Sequence, residues 1–151
     1  MKKRLLLAAV AVTTTVMATD ESFDVLMELL APIQITEVKN LQFPATLSGA
    51  ALDVVVATGD TGAAEFSATG TASKSFTKSV VESSITLQLD GNSGGLSTKE
   101  IVVDTFSLAG PVAFDRSGNA TGLKVGGTAH VLAEDLPGQY SGVATFRMVY
   151  N

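Results

Sequence analysis

The chain has 151 residues, 46% of them hydrophobic, with no Cys, no Trp and a formal net charge of −5. Such a length supports one domain with a real core, and the lack of Cys excludes a disulfide scaffold. All fifteen acidic residues follow residue 18, against seven of the ten basic ones, so the chain beyond that point carries −8. That balance excludes a nucleic-acid binder or a binder of anionic membrane surfaces, because too little positive charge is available to neutralise phosphates.

The N-terminus has the order of a secretory signal peptide. Lys2, Lys3 and Arg4 form a basic region, Leu5 to Val12 an apolar one, and Val16-Met17-Ala18 a cleavage site before Thr19. The apolar run is far short of the ~20 residues a membrane span needs. We therefore expect residues 1–18 to be removed on export. No Cys follows to carry a lipid.

The next segment is polar at Thr19-Asp20-Glu21-Ser22 and then alternates, with Phe23, Val25, Met27 and Leu29 on one face. As a strand it suits an open hydrophobic groove, and four such side chains contribute about 1.5–3 kcal/mol each on burial. Phe23, Leu26, Met27 and Leu30 also fit helical spacing, and an ordinary first strand within the same chain fits as well. All three readings stay open on pattern alone.

Beyond it, strand-like runs rich in Val, Thr, Ser and Ala are punctuated by turn signals, the rhythm of an all-β sandwich. Strands are predicted near Ile33–Lys39, Ala51–Ala57, Ala64–Gly70, Ser83–Leu89, Glu100–Leu108, Leu123–Leu132 and Tyr140–Tyr150. The strongest turns are Asp90 to Gly95 and Asp115 to Asn119, whose Asp, Asn and Gly residues tolerate positive φ. No internal repeat or linker divides the chain.

Residues suited to catalysis are few. His130 is the single histidine, so any Ser–His–carboxylate or His-rich metal site rests on it alone, and it reads as a surface or edge-strand residue. The Asp90 turn lacks the regular oxygen ligands and distal Glu of a calcium loop. Asn119-Ala120-Thr121 fits a glycosylation sequon by coincidence, and no Gly-rich phosphate loop joins a strand to a helix. The expectation is a protein that is not an enzyme and uses no cofactor or metal.

The last fourteen residues, Gly138 to Asn151, carry the clearest signal. From Val143 onward, Ala144, Phe146, Met148 and Tyr150 share one face, while Val143, Thr145, Arg147 and Val149 share the other. The larger apolar residues mark the even positions as the inward phase.

Tyr150 is penultimate, Gly138 is fourteenth from the end, and Pro137-Gly138-Gln139-Tyr140-Ser141-Gly142 leads into the strand. In these features the chain resembles subunits of chaperone–usher pili, in a disulfide-free branch. Pro32-Ile33-Gln34-Ile35 and Leu41-Gln42-Phe43 also resemble the opening of a related family of secreted bacterial β-proteins of unknown function.

The pilus resemblance implies an immunoglobulin-like β-sandwich that lacks its last strand and is completed by donor-strand exchange. It divides the chain into a signal peptide (1–18), a donor extension (19–31) and a pilin domain (32–151). Phe23, Val25, Met27 and Leu29 would be the donor residues. Gly138, Ala144, Phe146, Met148, Tyr150 and Asn151 would form the acceptor and chaperone-binding strand. Implied partners are a periplasmic chaperone, an outer-membrane usher and identical subunits, in a homopolymer at the cell surface that serves adhesion to host or abiotic surfaces and biofilm. One domain carrying both donor and acceptor suits a shaft subunit rather than a tip adhesin. Two other readings are a stand-alone secreted binding module, for carbohydrate or a host surface, and a matrix protein that assembles through its loops.

Overall fold

The computed structural model describes residues 19–90 and 99–151. Residues 1–18, expected to be a signal peptide, and most of the Asp90 turn lie outside the described residues. The architecture is all-β and sandwich-like, a large curled antiparallel sheet with a small second sheet upon it. It follows from the length of one strand. β7 (Asn119–Val131) runs for thirteen residues, long enough to be paired on one side by two strands in succession.

Those two strands are β3 (Ala64–Thr69), which pairs with residues 119–125, and β2 (Leu52–Val56), which pairs with 127–131. β6 (Glu100–Ala109) lies on the other side of β7, followed by β5 (Ser84–Leu89) and the two-residue β8 (Tyr140–Ser141). β1 (Gln34–Lys39) pairs with the far edge of β3. The second sheet consists of β4 (Phe76–Val80) and β9 (Phe146–Tyr150). At the changeover between β3 and β2 a side chain on residue 126 would run into the Val56 carbonyl and the Ser107 hydroxyl, so the position takes Gly. Opposite it, β6 carries a bulge between Asp104 and Ser107, with Thr105 at φ 50°.

The core separates into two clusters along β7. One contains Ala68, Phe76, Phe114, Ala120, Leu123 and Met148, closed between the large sheet and the β4–β9 pair. Phe66 stacks on Phe146 at 4.5 Å across the two layers, and Phe76 meets Phe114 at 4.8 Å. The other contains Val54, Ile101, Val103, Ala129 and Val131, against which Phe43, Ile85, Leu87, Phe106 and Tyr140 pack. Of the small sheet, only the ends at Val80 and Phe146 reach the groove that lies over this second half.

Several expectations need correction. β4 has no predicted counterpart. Its face continues Phe76 and Val80 through Lys78, which breaks the apolar alternation, and the Lys78 ammonium donates to the carbonyls of Gly110 and Pro111 at 2.7 and 2.8 Å. The single strand predicted over Tyr140–Tyr150 is two strands in different sheets. The chain crosses between layers at Gly142–Thr145, where the Glu82 carboxylate accepts from both the Thr145 amide (2.7 Å) and its hydroxyl (2.8 Å). Those two bonds hold the Glu82 carboxyl below its ordinary value. The helical alternative for Phe23–Leu30 is not realised, since residues 19–33 form neither helix nor ladder pairing. The Asp115 turn forms as expected, its carboxylate accepting from the amides of Ser117 and Asn119, both at 2.8 Å.

Candidate functional site: an open groove and an uncovered arm

This half of the inner face, its residues buried beneath the rims, forms the floor of a groove of about 1020 Å³. Val54, Val103, Ala129 and Val131 project there because they are the inward phase of β2, β6 and β7. The rims are residues 40–48, which form no strand ladder, and residues 135–145, which pair only at β8. Phe43 from the first and Tyr140 from the second reach onto the floor.

The floor of the groove is apolar, whereas its rims carry polar side chains such as Asn40, Gln42, Thr46, Gln139 and Ser141. Asp135 is the groove's one buried charged residue, and one carboxylate oxygen accepts from the Leu132 amide at 2.7 Å. The other has no partner among the described residues. Tyr140 donates to the Leu136 carbonyl at 2.8 Å. Burial, and then the nearby Asp135 carboxylate, raise the Tyr140 pKa, which keeps it a neutral phenol. The floor therefore offers apolar surface suited to apolar side chains, and the rims offer hydrogen-bonding groups beside it.

The residues expected along the acceptor strand divide between the two halves. Gly138, Ala144 and Phe146 line the groove. A side chain at residue 138 would collide with Leu89, so Gly lets the loop approach β5. Met148 and Tyr150 share the face of Phe146 but belong to the closed half, packed with Phe76 and Phe114. Asn151 uses its side-chain oxygen to accept from the Thr77 hydroxyl at 2.5 Å.

The expected donor residues are uncovered. Phe23, Val25, Met27 and Leu29 are 84, 82, 83 and 81% exposed. The arm joins the body at Ala31, beside Tyr150, and Ile33 is the first apolar residue to pack on the closed core. Sequence reasoning missed most of the groove floor. Its signal was present as the inward phase of β2, β6 and β7, but nothing local marks which part of an inner face borders a groove.

His130 lies on the outer face of β7, a central strand rather than an edge one. Its Nδ1 meets Asp53 at 2.7 Å and its Nε2 meets Asp104 at 2.9 Å. The bond to Asp104, then that to Asp53, raise the His130 pKa. With both ring nitrogens held by carboxylates, neither is left to accept a proton from a serine. Among the described residues no group of three or more His, Asp or Glu is placed to hold a metal ion.

Fold and site together define a small all-β, sandwich-like protein with a groove along one half of its core face and an exposed apolar arm. Residues 45–150 match a domain of unknown function, DUF4402, and the chain belongs to that family. The matched span includes β2 to β9 and leaves the arm and β1 outside it. No curated protein and no solved structure matches the chain.

Proposed function

We propose that the protein is a structural subunit of a bacterial surface fibre, assembled by insertion of the arm of one copy into the groove of the next. The observation that carries this reading is the coexistence, in one chain, of an exposed alternating apolar arm and a groove with an apolar floor. Seating Phe23, Val25, Met27 and Leu29 would bury about 1.5–3 kcal/mol of side-chain transfer energy each, and main-chain pairing would add to it.

Reach favours a second copy over the arm's own body. The arm starts beside Tyr150, at the end of the closed half away from the groove. Phe23–Leu30 spans about 26 Å when extended, and the five residues of β9 alone take up about 17 Å of that on doubling back. The arm's own groove would then receive two of the four large residues at most, whereas a neighbour's groove can take all four.

The C-terminal resemblance extends this reading to the chaperone–usher pathway. The periplasmic chaperone would cover the groove until the usher exchanges it for the next arm, the shaft would be a homopolymer at the cell surface, and the role would be adhesive and without catalysis. The test is to shear surface material from the native host and run it, unheated and boiled, on a denaturing gel probed for this chain. A ladder at multiples of the subunit mass that collapses on boiling is expected, since no Cys can cross-link the subunits. Monomer in both lanes overturns the fibre reading and leaves a stand-alone binding module.

A further inference from the structure

The root of the arm is fastened by a closed set of hydrogen bonds between three distant parts of the chain. The Tyr150 hydroxyl accepts from the Thr71 amide and donates to the Ala31 carbonyl, both at 2.7 Å. The Ala31 amide in turn donates to the Thr71 hydroxyl, again at 2.7 Å. Three residues further out, Glu28 pairs with Lys74 at 2.7 Å. A side chain on residue 70 would overlap the Tyr150 hydroxyl and the Phe114 ring, so Gly70 gives the phenol the space it needs.

We infer that this cluster is a clamp that fixes the direction in which the arm leaves its own sandwich, and that Tyr150 is its positioning residue. Thr71 and Lys74 belong to the β3–β4 connection, so the arm is held against that connection and away from the groove-side end of β9. A single tether at Ala31 would leave the arm free to swivel, but two points three residues apart define an axis. The Tyr150 ring lies 5.9 Å from Phe114, so the clamp is braced on the closed core rather than on a loop. An arm already held in one direction loses less freedom when it docks on a second copy. Within a fibre, and resting on the reading proposed above, the clamp joins each sandwich rigidly to the arm that enters its neighbour, and so sets the stiffness of the junction.

The test uses the full chain without its signal peptide. The protein has no Cys, so V25C and R116C place one spin label on the arm and one on the body. The expected result is a single narrow distance distribution. Tyr150→Phe keeps the ring but removes the hydroxyl, and Thr71→Val removes the acceptor for Ala31. Each should broaden the distribution, while circular dichroism confirms that the fold is kept. Lys74→Ala should broaden it least, because an exposed ion pair holds weakly. A distribution that is already broad, or one that neither Tyr150→Phe nor Thr71→Val changes, overturns the clamp. In sheared fibres, Tyr150→Phe should lower the bending persistence length while the heat-sensitive ladder remains. Unchanged stiffness overturns the junction role. If the parent chain forms no fibre, the proposed function fails, and the label distances still decide the clamp.

Discussion

The two halves of the inner face are built from the same strand, yet they end in different states. Around Leu123, β7 meets a second layer, and the aromatic rings of Phe66, Phe76, Phe114 and Phe146 fill the space between layers. Around Ala129, the same strand meets only the segments 40–48 and 135–145, and a groove of about 1020 Å³ remains. The floors are alike in character, since Val103 and Leu123 are both fully buried. The difference lies in what is laid over them. β4 and β9 are each five residues long, about 17 Å, and cannot extend over a sheet as long as β7.

The strongest way to break the comparison is to remove what we propose fills the open half. Deleting residues 19–30 should abolish the heat-sensitive ladder. It should leave the unfolding free energy of the isolated subunit within about 0.5 kcal/mol, because the deleted side chains are exposed. Loss of both assembly and folding would show that the arm belongs to its own core.

Next in size is a pair of core truncations. Leu123→Ala in the closed half should cost about 2–5 kcal/mol in denaturant unfolding, because the rings around it leave a cavity. Val103→Ala in the open half should cost about 1.5 kcal/mol, the transfer energy of two methyl groups, since its neighbours can shift toward the groove. Equal costs would mean that the groove side is packed as tightly as the closed side.

Charge gives a smaller, kinetic test. Asp20, Glu21, Asp24 and Glu28 give the arm −4, with no basic residue in 19–31. The body, residues 32–151, also carries −4, from seven basic and eleven acidic residues. Like charges slow the encounter, and the screening length falls from about 30 Å at 0.01 M salt to about 8 Å at 0.15 M. Assembly of purified subunits, followed by light scattering, should therefore speed up with added salt. A slowing would point to an attractive contact between arm and body that net charge does not reveal.

The smallest effect concerns His130, outside both halves of the core. Its pKa is raised by Asp104 and Asp53, so its contribution is fully present below the pKa of an unfolded histidine and is lost as pH rises through the raised folded value. Asp104 is lowered, chiefly by the bond to His130, so its share holds above the unfolded carboxylate pKa and is lost as pH falls through the lowered value. The denaturation midpoint should decline slightly as pH rises through and above the ordinary histidine range, and His130→Gln should flatten that decline. An unchanged profile would mean that solvent screens the pair, which is more than one third exposed.

Alternation by itself determined that the chain is all-β, because a period of two is a local property of consecutive residues. Among the described residues eight of the nine strands lie on predicted runs, β8 and β9 sharing one, the Asp115 turn forms from its own side chain, and the four large residues of the arm stood out before any fold was known. Where alternation was interrupted, as at Lys78, or continued across a change of partner, as at Gly142–Thr145, the prediction failed. Only the tertiary structure decided that Phe146 lines a groove while Met148, two residues on, is sealed in the core. The reason is physical: periodicity tells a residue which side of its strand to face, whereas whether that side is covered depends on distant elements reaching it.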